Sequence, residues 1–142
     1  MHFDPNVWGP HYWFFLHTVA ETYPESPNEV TKRKYYDLIQ NMPLFIPIPE
    51  MGNRFSSYLD KYPVTPYLDS RDSFIRWIVF IHNKFNHVTG KEEMSFPMAL
   101  DKYKAEYKPK PIFFSDRIKI RKQYVYVILI LLLFILIYIY YE

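Results

Sequence analysis

The sequence predicts an all-α protein: a four-helix bundle with a short fifth helix, followed by one C-terminal transmembrane helix. Three observations predict this fold class. Apolar residues recur at helical spacing, proline-containing stretches separate these segments, and no alternating apolar run is bounded by hairpin turns. The chain then ends in a long apolar run without charge. Within 142 residues, only one small folded domain can precede that run.

The bounds of the first two helices are predicted from residues that start or end helices. The first is expected from near Pro10 to Glu21, before the "YPESP" stretch. The second is expected to begin at "SPNE", with Ser26 as its N-cap, and to run to about Asn41. The inward face of the first helix is Trp13, Leu16, His17 and Ala20.

Three further helices are expected over about Glu50 to Lys61, Ser70 to Val88, and Phe96 to Tyr107. Their spacing predicts which side chains face the core. These are Phe55, Tyr58 and Leu59 in the third helix, and Phe74, Trp77, Ile78 and Ile81 in the fourth.

The C-terminal run "YVYVILILLLFILIYIYY" predicts a membrane anchor, because it is long enough to span a bilayer and carries tyrosines at both ends. The predicted organisation is a helical domain over 1–108, a proline-rich and basic linker over 109–122, and a transmembrane anchor over 123–142. The linker holds four basic residues before the run: Arg117, Lys119, Arg121 and Lys122. By the positive-inside rule, we expect a single-pass tail anchor with a cytosolic N-terminal domain.

Composition excludes several kinds of site. The chain has no cysteine, which rules out disulfides, thiolate metal sites and cysteine nucleophiles within it. Its three glycines form no phosphate-binding loop, and its net charge of +2 gives no reason to expect nucleic acid as a partner. No metal site is expected, since His2, His11 and His87 do not supply a convincing ligand set.

A candidate binding site comes from two pairs at i, i+4 spacing. Trp13 and His17 share a face of the first helix, and His82 and Asn86, with Asn83 adjacent, share a face of the fourth. Between two packed helices, such side chains could stack on a flat heterocycle and bond its polar edges. The alternative is that both histidines are satisfied core residues.

Two motifs carry a family resemblance. "WGPHYWFFLH" follows the pattern W-G-x-x-x-W-x-x-L-H, and "HNKFNHVTGK" follows H-N-x-x-N-x-x-x-G-K. In these patterns and their order, the chain from about Asp4 to Tyr107 resembles the ERV/ALR family of FAD-linked sulfhydryl oxidases, especially the short versions of large DNA viruses. The resemblance implies an ERV/ALR-like four-helix bundle that holds FAD between its helices.

The resemblance also implies a set of residues at the FAD site. Carried over by position, they are Gly9, Trp13, His17, His82, Asn83, Asn86 and Lys91, with Tyr23 and Tyr103 as weaker candidates. The family's reaction uses a C-x-x-C pair at the start of helix three, beside the flavin. Here those positions are Ile48-Pro49-Glu50-Met51. No catalytic residue is therefore expected, because neither Ile48 nor Met51 can undergo thiol exchange.

Two origins could explain the missing cysteines. Engineered removal would usually leave serine or alanine, so isoleucine and methionine favour a naturally degenerate member. The expected function is a non-catalytic, membrane-anchored structural or assembly protein of a membrane-containing particle, such as a large DNA virus virion. Its expected partners are the membrane and proteins, either a second copy of the chain or capsid and membrane proteins. The alternatives are an FAD-binding oxidoreductase that uses a partner's thiols, and a plain helical adaptor.

Overall fold

The computed structural model describes residues 2–109 and 114–142, and in the last helix the side chains from residue 121 onward. All regular secondary structure in these residues is helical, which confirms the all-α prediction. The chain divides into two compact units, residues 1–107 and residues 108–142. Among the described residues, the first unit holds five α-helices and the second holds one.

Helix α1 spans Pro5–Glu21 and begins one turn earlier than predicted. Asp4 is its N-cap, with a side-chain oxygen that accepts a hydrogen bond from Asn6 N at 2.8 Å, and Pro5 takes the first helical position. This combination is a strong helix start. Pro10 consequently lies inside the helix, where it removes one intrahelical hydrogen bond close to the N-terminus.

Helix α2 spans Glu29–Asn41, and its N-cap differs from the predicted Ser26. The cap is Asn28, with a side-chain oxygen that accepts a hydrogen bond from Thr31 N at 2.8 Å. Asparagine and serine cap equally well, so two candidates two residues apart could not be separated by sequence. Glu29 is then the first helical residue and does not complete a capping box.

Helix α3 spans Pro49–Lys61, α4 spans Arg71–Val88 and α5 spans Phe96–Ala105, with 3-10 turns at Met42–Phe45 and Thr65–Tyr67. The predicted starts of α3 and α4 agree with these bounds to within one residue. Helix α5 ends two residues before the predicted Tyr107, because the chain tightens there into i to i+3 hydrogen bonds, including Tyr107 N to Lys104 O at 3.2 Å.

The core of the first unit lies where α1, α2, α3 and α4 meet, with α1 packed mainly on α4. Its buried side chains include Leu16, Ala20, Ile39, Phe55, Leu59, Phe74, Trp77, Ile78, Ile81 and Phe85. The predicted inward face of α4 is confirmed in full. Tyr58 and Trp13 are only half-buried. Among the described helices, α4 therefore contributes the most buried side chains, and its C-terminal half contacts α1.

Helix α6 spans Phe114–Tyr141. It begins inside the predicted linker of 109–122, since the proline-free basic stretch after residue 113 has no residue that breaks a helix; residues 110–113 lie outside the described residues. The segment from Arg121 to Tyr141 has 21 residues; an 18-residue window within it has a mean hydropathy of 2.6, and none of that window is buried within the structure. By length and composition, this segment could span a membrane.

Candidate functional site

The packing of α1 on α4 brings two predicted site residues into ring contact. Trp13 of α1 stacks on His82 of α4, with ring centroids 4.1 Å apart and planes inclined by 6°. Phe85, one turn further along α4, meets Trp13 edge-on at 5.5 Å. A ring inserted between Trp13 and His82 would need about 7 Å. A flat ligand would therefore stack on an outer face of this pair, not between its members.

His17 joins the stacked pair through a hydrogen bond. Its Nε2 lies 3.2 Å from His82 Nδ1, and His17 is only 6 % exposed. Burial lowers the pKa of His17 to about 4. Burial, followed by the nearby His17, Lys102 and Lys91, lowers the pKa of His82 to about 3. Both imidazoles are neutral at pH 7, so one ring donates its N–H to the other. Trp13, His17 and His82 are called the histidine cluster below.

Two lysines face the histidine cluster from different elements. Lys91 follows the end of α4 and Lys102 lies on α5, and both are close enough to lower the pKa of His82. The chain turns toward Lys91 through Gly90, which adopts a φ of 67°, a conformation that favours glycine. Lys91 N then donates to Asn86 O at 2.8 Å. The positive charges suit an anionic group, such as a diphosphate, beside the rings.

The two predicted asparagines form a hydrogen-bonded link between α4 and the loop before α5. Asn83 Nδ2 donates to Met94 O at 2.7 Å, and Met94 N donates to Asn83 Oδ1 at 3.0 Å. Asn86, only 7 % exposed, donates weakly to Asn83 Oδ1 at 3.4 Å. The amide of Asn83 is thus largely committed to the fold, whereas Asn86 Oδ1 accepts no hydrogen bond within the described residues.

Tyr103 of α5 completes the arrangement on the α1 side. Its hydroxyl lies 3.1 Å from Thr18 Oγ1 and 2.8 Å from Tyr107 Oη, and its ring centroid lies 6.0 Å from that of His17. Phe14 covers it at 5.4 Å. Tyr103 is half-buried, and both its ring and its hydroxyl make contacts, so it lines one side of the site.

Gly9 lies on α1 one turn before Trp13, beside open space. A Cβ built on Gly9 would meet nothing within 4 Å, so no contact within the described chain requires glycine there. Glycine inside a helix costs roughly 0.5–1 kcal/mol relative to alanine. The neighbouring Trp8 adds an unsatisfied group, because its buried Nε1 has no hydrogen-bond partner among the described residues. Both features are expected where a further molecule packs against the helix.

Tyr23, a weaker candidate for the FAD site, makes its contacts in the core and none with the histidine cluster. It is fully buried, its hydroxyl donates to Leu68 O at 2.7 Å, and its ring packs on Tyr35 and Phe74 in the core. Two contributors were not identified from the sequence. Thr18 gives no signal by type or motif, and Lys102 is one of many surface lysines until the fold brings α5 beside His82.

The start of α3 differs from the histidine cluster in chemistry. Ile48 is the N-cap of α3 and makes no side-chain capping hydrogen bond. Met51 is half-buried and packs against the core. The next residue, Gly52, is confined, because a Cβ there would lie 2.7 Å from Pro43 O. Positions 48 and 51 therefore carry apolar side chains, and the segment between them holds no thiol.

Comparison with known proteins decides the family. The Erv1 / Alr family profile matches residues 10–108. The chain belongs to the Erv1/Alr family. The probable FAD-linked sulfhydryl oxidase R368 of Acanthamoeba polyphaga mimivirus is 33 % identical over 108 residues, which cover 75 % of this chain and 76 % of that protein. The FAD-linked sulfhydryl oxidase of an African swine fever virus isolate is 30 % identical over 89 residues, 63 % of this chain and 73 % of that protein.

Solved structures agree with the family assignment. The FAD-binding domain of Erv1 from Saccharomyces cerevisiae is similar with a TM-score of 0.67 and 25 % identity, over 73 % of this chain and 97 % of that domain. The yeast Erv1 core is similar with a TM-score of 0.66 and 24 % identity, over 73 % of this chain and 86 % of that core. The predicted family and its bundle are confirmed, and relatives from large DNA viruses are among the matches.

Proposed function

We propose that this Erv1/Alr chain is a redox-inactive, membrane-anchored member of its family that serves as a structural or assembly protein of a membrane-containing particle. One observation carries this proposal: residues 48–51 are Ile-Pro-Glu-Met, and no cysteine occurs among the 142 residues. Thiol–disulfide exchange proceeds by thiolate attack on a disulfide sulfur. A chain without a thiol cannot perform either half of that exchange.

The family and the residues around His82 support FAD as a ligand of this chain. Its relatives are named FAD-linked oxidases, and a similar solved structure is the FAD-binding domain of Erv1. The open space beside Gly9, the neutral rings of the histidine cluster and the two lysines near His82 suit an aromatic, anionic dinucleotide.

The residues that would hold FAD are the predicted set with Lys102 added: Gly9, Trp13, His17, His82, Asn83, Asn86, Lys91, Lys102 and Tyr103. When bound, FAD supplies two-electron acceptor chemistry. Trp13 and His82 would orient a ring by stacking, the lysines would hold the diphosphate, and Asn86 would accept a hydrogen bond through Oδ1. In a chain without thiols, these contacts make the cofactor a structural group that strengthens the contact between α1 and α4.

Membrane anchoring is supported by α6. The helix is apolar from Tyr124 to Tyr141, tyrosines lie at both ends of this apolar run, and basic residues in the earlier part of the helix precede the run. A single-pass anchor with the folded unit on the cytosolic side fits this charge pattern. The viral relatives support a virion membrane as the site of action.

A second function is favoured by the retained ring cluster. If FAD is bound with its redox-active ring accessible, a partner protein could supply the thiols that this chain lacks. The chain would then bind and orient the cofactor, and the partner would supply the dithiol whose oxidation gives a disulfide and reduces the flavin.

Two measurements on the full chain, purified in detergent, separate these functions. The first is the visible flavin absorption spectrum, and the second is peroxide release with a small dithiol, compared with free flavin at equal concentration. Bound flavin without turnover above free flavin supports the structural role. Turnover above that control would contradict it, and a protein with no flavin band would exclude the oxidoreductase.

A further inference from the structure

A groove lies at the C-terminal end of α3, and no residue of the histidine cluster lines it. Its volume is about 250 Å³, and its lining is rich in aromatic and proline side chains: Lys61, Tyr62, Pro63, Pro66, Tyr67 and Phe80. Five of the six come from the short stretch "KYPVTPY" between α3 and α4. We call it the tyrosine-proline groove.

The stretch that forms the groove is attached to the core of the first unit by buried side chains and hydrogen bonds. Val64 and Leu68 are 0 % and 2 % exposed, so they anchor it in the core. Tyr62 O accepts a hydrogen bond from Trp77 Nε1 at 3.0 Å, and Leu68 O accepts one from Tyr23 Oη. Proline adds stiffness because its φ is fixed. A ligand would therefore meet a preorganised surface and would not have to order a loop.

The groove presents aromatic rings, and a lysine ammonium group lies over each of two of them. Tyr67 and Phe80 remain 42 % and 38 % exposed, so both rings are accessible to a ligand. Tyr62 meets Phe80 edge-on at 4.9 Å. Lys61 Nζ lies 5.4 Å from the Tyr62 ring centroid, and Lys84 Nζ lies 5.0 Å from that of Phe80. None of the six lining residues is acidic.

We propose that the tyrosine-proline groove binds an extended, acidic, proline-containing segment of a partner protein. Proline-rich segments form the polyproline II helix before binding, so they lose little entropy, and their flat rings pack on exposed aromatic side chains. Acidic side chains in the same segment pair with Lys61 and Lys84. The two lysines disfavour binding of this chain's own proline-rich stretch, "KPKP" over 108–111, because that stretch is basic.

The test measures peptide binding to the full chain in detergent micelles. A fluorescently labelled peptide of Pro-Pro-Glu repeats is titrated by anisotropy, beside two matched peptides in which alanine replaces every proline or lysine replaces every glutamate. Tyr67→Ala and Lys84→Gln probe the ring and the charge. Tyr36→Ala is the control, since Tyr36 is an equally exposed tyrosine, 39 %, on α2.

We expect saturable binding of the Pro-Pro-Glu peptide and none of the lysine peptide. Tyr67→Ala should weaken binding roughly tenfold, and Lys84→Gln roughly threefold with a smaller salt dependence. Tyr36→Ala should leave the affinity unchanged. Near-ultraviolet circular dichroism checks that each variant is folded.

Three outcomes would overturn the proposal. They are an absence of saturable binding, equal binding of the alanine peptide, and an equal loss in Tyr36→Ala. Self-association of the chain that Tyr67→Ala abolishes, without peptide binding, would assign the groove to a second copy instead. Flavin content is unaffected by any of these results, so the fate of the groove and that of the proposed function are read separately.

Discussion

The histidine cluster and the start of α3 correspond to two motifs of the same family. The cluster retains the side chains of its motifs, whereas the start of α3 does not. The cluster keeps the polar and aromatic side chains of both family motifs, at stacking and hydrogen-bonding distance. The start of α3 has the family's backbone element but apolar side chains in place of the reactive pair. The two sets of side chains lie on different elements and make separate contacts, so the reactive pair can be replaced while the cluster stays intact.

The largest expected effect is at Trp13. Trp13→Ala removes the ring that stacks on His82 and packs on Phe85, and it should lower the free energy of unfolding by about 3 kcal/mol and abolish flavin binding. Denaturant unfolding followed by fluorescence, with the flavin spectrum, measures both. Phe15→Ala on the same helix is the control, since Phe15 is exposed. Equal losses of stability and flavin binding in the two variants would show that the Trp13–His82 stack contributes no more than an exposed ring.

The histidine pair should make the folded unit sensitive to acid. Both pKa values are depressed in the folded state, so below pH 6.5 the unfolded chain takes up protons that the folded chain does not. Stability is therefore full near pH 7 and is lost as the pH falls toward 4. Counting only the fully buried His17, the loss between pH 7 and pH 5 is about 2 kcal/mol.

Unfolding at a series of pH values measures this slope. His17→Gln with His82→Gln should flatten it, whereas His87→Gln, at an exposed histidine, should not. A slope that persists in the double variant would assign acid sensitivity to other groups.

Restoring the missing pair tests the other half of the comparison. Ile48→Cys with Met51→Cys should cost about 1–2 kcal/mol of stability, because smaller side chains replace half-buried ones. If FAD is bound, dithiol oxidation with peroxide release should appear in the double variant and in neither single variant. A double variant that binds flavin but shows no turnover would contradict the prediction that the thiol pair is all that the site lacks.

Gly9→Ala should have the smallest effect, and its sign should depend on the cofactor. In the flavin-free chain, the added Cβ meets no atom and improves the helix, so stability should rise by roughly 0.5 kcal/mol. In the presence of FAD, the same methyl group should weaken cofactor affinity. Thermal melts with and without added FAD measure both signs. A gain in both conditions would place the cofactor away from Gly9.

Periodicity predicted the fold well where one face is strongly apolar. The inward face of α4 could be read from Phe74 to Ile81, because a helix with that spacing has one way to bury them. Helix starts were harder. Ser26 and Asn28 offer the same capping chemistry, and only the register of the packed helix selects between them.

The site divides in the same way. Trp13, His17, His82 and Asn86 could be named from motifs and i, i+4 spacing. Lys102 and Thr18 could not, since their relation to His82 and Tyr103 depends on how α5 crosses α1 and α4. Nor could sequence reveal that Asn83 is bonded to Met94, or that Tyr23 is committed to Leu68 in the core.

The two reciprocal hydrogen bonds between Asn83 and Met94 have a consequence for how the molecule can change. They hold the two ends of the intervening chain together, so the number of residues between Asn83 and Met94 is fixed. Inserting or deleting a residue between positions 89 and 93 would break these hydrogen bonds or rotate α5. Lys102 and Tyr103 would then turn together away from the rings they face. Variation in loop length, usually the most freely tolerated change in a helical protein, should therefore be tolerated poorly at this loop.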